Sequence, residues 1–243
     1  MLINKIRLLV QAFSFLILTY GGRIGINLGY ALPCFACPYV AGCGGYCFLM
    51  FLQRVGIFGI AAYDRIFTYI GLQNLLWFLI FAVSAIILSK FWCGWICPFG
   101  SLLDALRGLR KKMGIREIEF SWTVRTMIKP IKYIFLAVIL VVPLLIAFLG
   151  LSSDFYILFC KICPARPIMP IFAGDIRRFG LEYSNWSTLI ISIVSVSFAA
   201  ITIVGSFFKD RFFCMVCPML PLIHLFNKLS PVRFVKWADG CSG

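Results

Sequence analysis

The sequence predicts an all-α integral membrane protein with about four transmembrane helices, arranged as two tandem two-helix repeats with interfacial or re-entrant helices between them. Two observations predict this class. The 243 residues are 62% hydrophobic and only 13% charged, with a mean hydropathy of +0.97, which is too apolar for a soluble domain of this length. Cysteine motifs also recur along the chain at a nearly constant spacing, which indicates an internal repeat.

Four apolar stretches are long enough to cross a hydrocarbon core of about 30 Å, since a helix needs roughly 20 residues for that distance. They lie at approximately residues 8–30, 70–91, 131–150 and 187–208. The first resembles a signal peptide, but no small-residue cleavage site follows, so we interpret it as a retained helix. A shorter apolar run at 48–62 predicts a re-entrant or interfacial helix.

Basic residues predict the orientation of the chain. The formal net charge is +14, and in a membrane protein such an excess is typical of cytoplasmic loops rather than of nucleic-acid binding. The connection after the second span is rich in Lys and Arg, so we place it in the cytoplasm. With four spans, both termini then lie in the cytoplasm. Residues 99–113 within this connection have leucines at helical spacing and predict a basic interfacial helix.

Ten of the eleven cysteines fall into close pairs. The pairs are Cys34 and Cys37, Cys43 and Cys47, Cys93 and Cys97, Cys160 and Cys163, and Cys214 and Cys217. "CFACP" at 34 and "CKICP" at 160 are 126 residues apart, and the Cys-Pro dipeptides at 97 and 217 are 120 apart. We therefore predict a first membrane repeat over 1–130, a second over 131–230, and a cytoplasmic tail over 231–243.

An even number of spans per repeat gives both halves the same orientation, related by a pseudo-twofold axis along the membrane normal. This arrangement predicts two groups of four thiols. The outer group is Cys34, Cys37, Cys160 and Cys163, and the cytoplasmic group is Cys93, Cys97, Cys214 and Cys217.

Four cysteines suit a [4Fe-4S] cluster or a structural zinc ion, and the close spacing with proline after the last cysteine favours iron-sulfur ligation. Proline there ends one helix and suits the first turn of the next, which frees backbone N–H groups to bond sulfur. Disulfide chemistry linked to quinone is an alternative, although a cytoplasmic group of thiols is normally kept reduced. Structural zinc and inert buried cysteines are further alternatives.

The pair Cys43 and Cys47 has no counterpart in the second repeat. It predicts an additional centre shared with another subunit, a replacement for part of the outer group, or a loop disulfide. The sequence thus predicts two or three clusters. The single histidine, His224, excludes a haem held by two histidines within this chain, and no nucleotide-binding glycine motif is present.

The motifs "CGWICPFG", "LLDALR" and "CMVCP" resemble those of the polytopic membrane 4Fe-4S binding proteins of the NapH and NosR type, also called membrane polyferredoxins. The resemblance extends from the first span to about residue 237. It implies that Cys93, Cys97, Cys214 and Cys217 bind a cluster. Such proteins commonly continue into a ferredoxin domain, and "VKWADGCSG" resembles its beginning at Cys241. Either the sequence is truncated or a partner supplies the remainder.

The resulting expectation is a membrane-embedded subunit that passes electrons across the bilayer between a cytoplasmic or quinol donor and an extracytoplasmic or partner-subunit acceptor. Its expected partners are membrane lipid, quinone and other subunits of a redox complex, including ferredoxin-like, flavin or haem proteins, but no nucleic acid. A quinone-linked thiol oxidoreductase and an assembly subunit with structural clusters are the alternatives. Clusters at opposite faces of a ~30 Å core are too far apart for rapid transfer, so they must be drawn inward or linked by a carrier.

Overall fold

A computed structural model describes residues 2–30, 32–37, 39–58, 69–89, 91–149, 157–175 and 185–227. These residues form a helical structure without β-strands. The α-helices are α1 Leu2–Tyr20, α2 Phe48–Phe58, α3 Tyr69–Leu88, α4 Pro98–Lys112, α5 Trp122–Ile128, α6 Ile131–Leu149, α7 Leu158–Ile162, α8 Ala165–Phe172, α9 Trp186–Phe208, α10 Phe212–Val216 and α11 Met219–Asn227. A 3₁₀ turn covers Gly21–Ile24, and a π-helical turn covers Trp92–Ile96. The tail at 231–243, with Cys241, lies outside the described residues.

Three helical segments in the described part of the chain are long and apolar enough to cross a membrane, at Gly71–Leu88, Trp122–Ile146 and Trp186–Phe208. They contain α3, the α5–α6 pair and α9. Most of their residues face outward, so broad apolar surfaces surround the bundle. Such surfaces are stable in contact with lipid but not with water, which supports the prediction of a membrane protein.

The first helix differs from the expected span at 8–30. It ends at Tyr20, and the 3₁₀ turn and Gly25, with φ of +80°, redirect the chain. The reason is a close approach of backbones, since a Cβ added at Gly22 would lie 2.6 Å from the carbonyl oxygen of Cys43. Only glycine permits this contact, so the glycine pair ends the helix where a neighbouring loop packs against it.

The chain after α1 folds back along that helix instead of leaving the bundle. The Gly44 N–H donates to the Leu18 carbonyl at 3.0 Å, and the Leu28 N–H donates to the Gly44 carbonyl at 2.8 Å. Further along, the Cys47 N–H donates to the Ala36 carbonyl at 3.2 Å. These hydrogen bonds place the two cysteine motifs of this connection beside each other and against α1.

The connection leads into α2, which covers the described part of the predicted 48–62 helix. Its residues Phe48 and Leu49 are buried, and the helix packs against α6. Phe48 also stacks on Phe81 of α3, with ring centroids 3.6 Å apart. The α2 helix is therefore a central element of the bundle.

The predicted helix at 99–113 is confirmed as α4, which packs against α1 and α9. Its basic residues are not all on an outer surface, because Arg110 is buried. The Arg110 guanidinium donates to the Phe208 carbonyl at 2.9 Å and to Asp210 at 2.7 Å. Since Asp210 also pairs with Arg107 at 2.6 Å, α4 is anchored to the corner between α9 and α10.

Candidate metal centres

Three cysteines lie in the same local geometry. Cys97, Cys163 and Cys217 adopt extended conformations, with φ/ψ of −61°/116°, −60°/134° and −63°/121°, and each connects two helical segments. The cause is the proline that follows each cysteine, because its ring disfavours helical angles in the preceding residue. Proline then begins the next helix without loss, so the chain turns sharply at each sulfur.

A left-handed residue precedes each of these motifs. Ile157 and Arg211, with φ of 50° and 52°, each lie three residues before a first cysteine, while Ser89, with φ of 44°, lies four residues before Cys93. These are the non-glycine residues with positive φ in the part of the chain that the structure describes. Such a conformation costs of order 1–3 kcal/mol for a non-glycine residue, so the surrounding packing stabilises the three entry turns.

The Cys93 motif contains one more residue between its cysteines than the other two. The structure accommodates this residue as a π-helical turn, in which the Cys97 N–H donates to the Trp92 carbonyl at 2.9 Å. A π turn holds one extra residue per turn of helix. Both cysteines of "CGWIC" therefore reach the same cavity as those of "CMVC".

The Cys217 cavity is lined by Cys93, Cys97, Cys214 and Cys217, together with Cys34. The four expected cytoplasmic cysteines thus lie around one cavity, although their binding of a cluster stays a prediction. Cys34 lies in the same wall, whereas the sequence analysis placed it with the other group.

The Cys163 cavity is lined by Cys37, Cys47, Cys160 and Cys163. Cys47 thus stands where Cys34 was expected. The hydrogen bond from the Cys47 N–H to Ala36 brings Cys47 next to Cys37, while Cys34 lies far enough along the segment to face the other cavity. The two cavities are similar in size, with empty volumes of about 300 and 330 Å³.

The two cavities are neighbours, and Phe35 lines both. Cys34 and Cys37 lie on opposite sides of Phe35 in sequence, so three residue steps of at most ~3.6 Å bound their Cα separation at about 11 Å. Contacts along α1 agree, because Gln11 bonds Gly94 beside the first cavity and Leu18 bonds the loop that carries the second. Seven residues of helix separate those contacts, a rise of about 10.5 Å.

This arrangement differs from the expected groups of thiols at opposite membrane faces. The difference arises because the connection after α1 turns back at the glycine pair and carries Cys37 and Cys47 into the bundle. The thickness of a membrane core, roughly 30 Å, is about three times the rise of about 10.5 Å between the two contacts on α1.

Backbone N–H groups surround the sulfurs. The Gly100 N–H donates to Cys97 Sγ at 3.4 Å, so Cys97 caps α4 with its own side chain. The N–H groups of Ala165 and Met219, each two residues after a cysteine, lie near Cys163 and Cys217 and favour their thiolates. Hydrogen bonds of this kind stabilise metal-bound sulfur.

The side chain of Asp104 organises a charged network beside the Cys217 cavity. Arg211 donates to Asp104 through Nε at 2.8 Å and through a terminal nitrogen at 2.5 Å, while Arg7 forms a second ion pair with the same carboxylate. Gln11 Nε2 donates to Asp104 at 2.7 Å and to the Gly94 carbonyl at 3.0 Å. The network joins α1, α4 and the turn before α10.

Burial by itself would raise the pKa of Asp104, but the hydrogen bonds and positive charge of Arg211, with help from Gln11 and Arg7, lower that pKa below its ordinary value. Asp104 is consequently a carboxylate at neutral pH. Its negative charge offsets one of the two neighbouring guanidinium groups.

The Cys163 cavity has a neutral partner in Gln53, whose side chain is 1% exposed. Gln53 Nε2 donates to Cys160 Sγ at 3.2 Å, and Gln53 Oε1 accepts from the Phe159 N–H at 3.0 Å. Burial raises the pKa of the Cys160 thiol to about 12, and the hydrogen bond from Gln53 acts against this rise. A buried thiolate here therefore requires a cationic partner such as a metal centre.

The donor sets fit iron-sulfur clusters. Each cavity offers at least four cysteines from three separate motifs, with N–H donors beside the sulfurs. Among the described residues, no three His, Cys, Asp or Glu side chains converge in a way that would hold a single metal ion. A [4Fe-4S] cluster is held by four cysteine thiolates, and each cavity offers at least that number.

Cys43 lines neither cavity and lies beside the hydroxyl of Tyr46, which forms a hydrogen bond with it. None of the ten described cysteines forms a disulfide in this structure, including the Cys43 and Cys47 pair. The two members of that pair thus have different surroundings.

Two functional candidates were missed by the sequence analysis. Gln53 lies on an apolar helix, and Asp104 lies on a basic one, so neither belongs to a cysteine motif. A signal was present for Gln53, because an isolated amide within "FLMFLQ" is unusual for a buried helix and indicates a specific polar partner.

Comparison with known proteins agrees with this chemistry. A family model described as a 4Fe-4S binding domain, Fer4_5, matches residues 70–116 and 191–236. The two matched regions contain the Cys93 and Cys97 pair and the Cys214 and Cys217 pair. Two matches to one 4Fe-4S model support binding of [4Fe-4S] clusters by this chain.

Two curated proteins are similar to the chain. An Escherichia coli (strain K12) protein named "Putative electron transport protein YccM" is 22% identical over 161 residues, which cover 66% of this chain and 41% of that protein. An uncharacterized protein of Methanocaldococcus jannaschii, MJ0750, is 24% identical over 165 residues, which cover 67% of this chain and 58% of that protein. The chain thus spans about half the length of these relatives. No solved structure matches it. Together the matches support an iron-sulfur electron-transfer protein.

Proposed function

We propose that this protein is the electron-conducting membrane subunit of a redox complex, with one [4Fe-4S] cluster in the Cys217 cavity and a second in the Cys163 cavity. The observation that carries the proposal is the pair of cavities, each lined by at least four cysteines, with Phe35 in their common wall. When bound, such clusters supply reversible one-electron transfer.

The residues of the chain have distinct tasks in this function. The eight cysteines hold the two centres, and the buried phenylalanines Phe99, Phe159 and Phe213 exclude water from them. Backbone N–H groups and Gln53 stabilise negative charge on sulfur. The segment from Cys34 to Cys37 connects the two cavities through about 11 Å of chain, which is short enough to explain how both centres communicate within the bundle.

The cellular location and the redox partners that we propose are based on the resemblance to the NapH and NosR type. We propose a prokaryotic cytoplasmic membrane with both termini in the cytoplasm, a cytoplasmic or quinol donor, and an extracytoplasmic or partner-subunit acceptor. The basic residues of α4 and of the following connection support a cytoplasmic position for that side.

The test is anaerobic purification followed by iron and sulfide analysis and EPR spectroscopy of the reduced protein. We expect about eight irons and eight sulfides per chain and, because the cavities are neighbours, signals broadened or split by interaction between two reduced clusters. Absence of iron and sulfide would contradict the proposal. Two magnetically isolated clusters would contradict the shared wall.

A further inference from the structure

We propose that Gln53 is a positioning residue that raises the reduction potential of the centre in the Cys163 cavity by donating a hydrogen bond to Cys160 Sγ. The inference rests on the proposed function, since it requires a cluster in that cavity. It assigns to one neutral, buried side chain a specific effect on one of the two cavities.

The orientation of the Gln53 amide is determined by its surroundings. Nε2 lies 3.0 Å from the Leu49 carbonyl and 3.2 Å from Cys160 Sγ, while Oε1 lies 3.0 Å from the Phe159 N–H. If the amide were rotated by 180°, oxygen would face a carbonyl oxygen and nitrogen would face an N–H group. Both contacts would be repulsive, so the N–H group must point at sulfur.

The same amide also supports the helix that carries the ligand. Phe159 lies in the first turn of α7, where backbone N–H groups have no acceptor within the helix. Its entry residue Ile157 is left-handed and provides no side-chain cap. Gln53 therefore contacts two consecutive residues of α7, the backbone of Phe159 and the sulfur of Cys160. A change in one contact must alter the geometry of the other.

The effect on potential follows from where charge is placed. Reduction adds one electron without forming or breaking a bond, and part of the added negative charge resides on sulfur. A hydrogen bond to sulfur strengthens as that charge increases, so the N–H group stabilises the reduced state more than the oxidised state. Burial enhances this difference because water does not compete for the sulfur.

Different polar side chains surround the Cys217 cavity. Polar side chains beside this cavity include the guanidinium of Arg211 and the carboxylate of Asp104, which form an ion pair. The glutamine at that cavity, Gln11, donates to Asp104 and to the Gly94 carbonyl and has no sulfur acceptor among its hydrogen bonds. Gln11 is mostly buried beside the other centre, so Gln11→Leu is a matched control for the potential of the centre in the Cys163 cavity.

The experiment is a dithionite titration of the full chain, followed by EPR, for the wild type, Gln53→Leu and Gln11→Leu. We expect Gln53→Leu to lower the midpoint potential of one cluster, with about a tenfold change in its reduction equilibrium, or 59 mV for a one-electron couple. The cluster in the Cys217 cavity should keep its midpoint potential in Gln53→Leu. Gln11→Leu should leave the midpoint potential of the cluster in the Cys163 cavity unchanged. Unaltered potentials in Gln53→Leu, or an equal fall in both variants, would overturn the inference.

If Gln53→Leu loses its cluster, a second measurement tests the hydrogen bond without that variant. The double variant Gln11→Leu, Gln73→Leu, whose one remaining glutamine in the sequence is Gln53, is labelled with ¹⁵N in its glutamine side chain and studied by pulsed EPR in the reduced state. A ¹⁵N coupling supports the hydrogen bond to Cys160, and its absence overturns it. The proposed function is judged separately, because it fails when the wild type itself lacks iron and sulfide, and the inference then fails with it.

Discussion

Arg211 and Asp104 form a two-point ion pair between the halves of the chain, with donor–acceptor distances of 2.8 and 2.5 Å. Asp104 belongs to α4, and Arg211 is the left-handed residue three positions before Cys214. The pair thus holds the entry turn of one cysteine motif against the helix that follows the other. A planar guanidinium with two hydrogen bonds specifies direction as well as distance.

The substitution Asp104→Asn should loosen this cavity. The amide keeps the shape of the carboxylate but loses the charge shared by Arg211 and Arg7, so we expect a free energy of unfolding lower by about 2 kcal/mol and less iron per chain. Chemical unfolding in detergent micelles and iron analysis measure the two effects. The control is Glu117→Gln, because Glu117 pairs with Lys209 in a more exposed position and should lose less than about 1 kcal/mol. Equal losses in both variants would contradict the assigned importance of Asp104.

The same carboxylate predicts a pH dependence. Because the folded state lowers the pKa of Asp104, its contribution to stability is fully present above the ordinary Asp value of about 3.9 and disappears as the pH falls through the lower, folded value. The wild type should therefore be more stable than Asp104→Asn at about pH 7, and this advantage should shrink as the pH falls below the ordinary Asp pKa of about 3.9. Thermal unfolding of both proteins over that range measures it. A constant difference would show that the charge is not responsible.

Cys47 and Cys34 should respond differently to substitution. Cys47→Ala leaves three cysteines in its cavity, and we expect loss of about half of the iron together with one EPR signal. Cys34→Ala leaves four cysteines in the other cavity, so both clusters should assemble. Anaerobic iron and sulfide analysis distinguishes the variants. The opposite result, with Cys34 essential and Cys47 dispensable, would restore the grouping expected from the repeat.

Substitution of Gly44 and of Gly108 by alanine should change the stability in opposite directions. A Cβ at Gly44 would lie 2.2 Å from the Ile17 carbonyl oxygen, so Gly44→Ala must displace the loop that carries Cys43 and Cys47. We expect lower stability and loss of iron. Gly108 lies within α4 with nothing within 4 Å of an added Cβ, so Gly108→Ala should raise the free energy of unfolding by about 0.5–1 kcal/mol. Unfolding curves and iron content test both, and a neutral Gly44→Ala would contradict the close packing.

Local features of the fold were predictable from the sequence. Proline after a cysteine restricts that residue to extended angles, so the turns at Cys97, Cys163 and Cys217 follow from the dipeptides themselves. The apolar lengths likewise predicted α3, α6 and α9, whose bounds agree with the expected spans to within a few residues.

Long-range placement was not predictable in the same way. The replacement of Cys34 by Cys47 was one of three alternatives for the Cys43 and Cys47 pair. The choice among them depends on the hydrogen bond between Cys47 and Ala36 and on the close contact at Gly22, neither of which has a periodic signal. The repeat suggested equivalence of the "CFACP" and "CKICP" motifs, but the two extra cysteines of the first repeat have no counterpart in the second. Ion pairs such as Arg211 with Asp104 join residues that are 107 positions apart.

The short distance between the two cavities has a consequence for the energetics of a charged membrane. A step of about 10.5 Å along α1 is about a third of a ~30 Å core. For a helix along the membrane normal, an electron that moves this far crosses about a third of the transmembrane voltage, which corresponds to about 0.8 kcal/mol at 100 mV. That energy changes an equilibrium roughly fourfold, so the membrane voltage would have a modest effect on electron exchange between clusters bound in the two cavities.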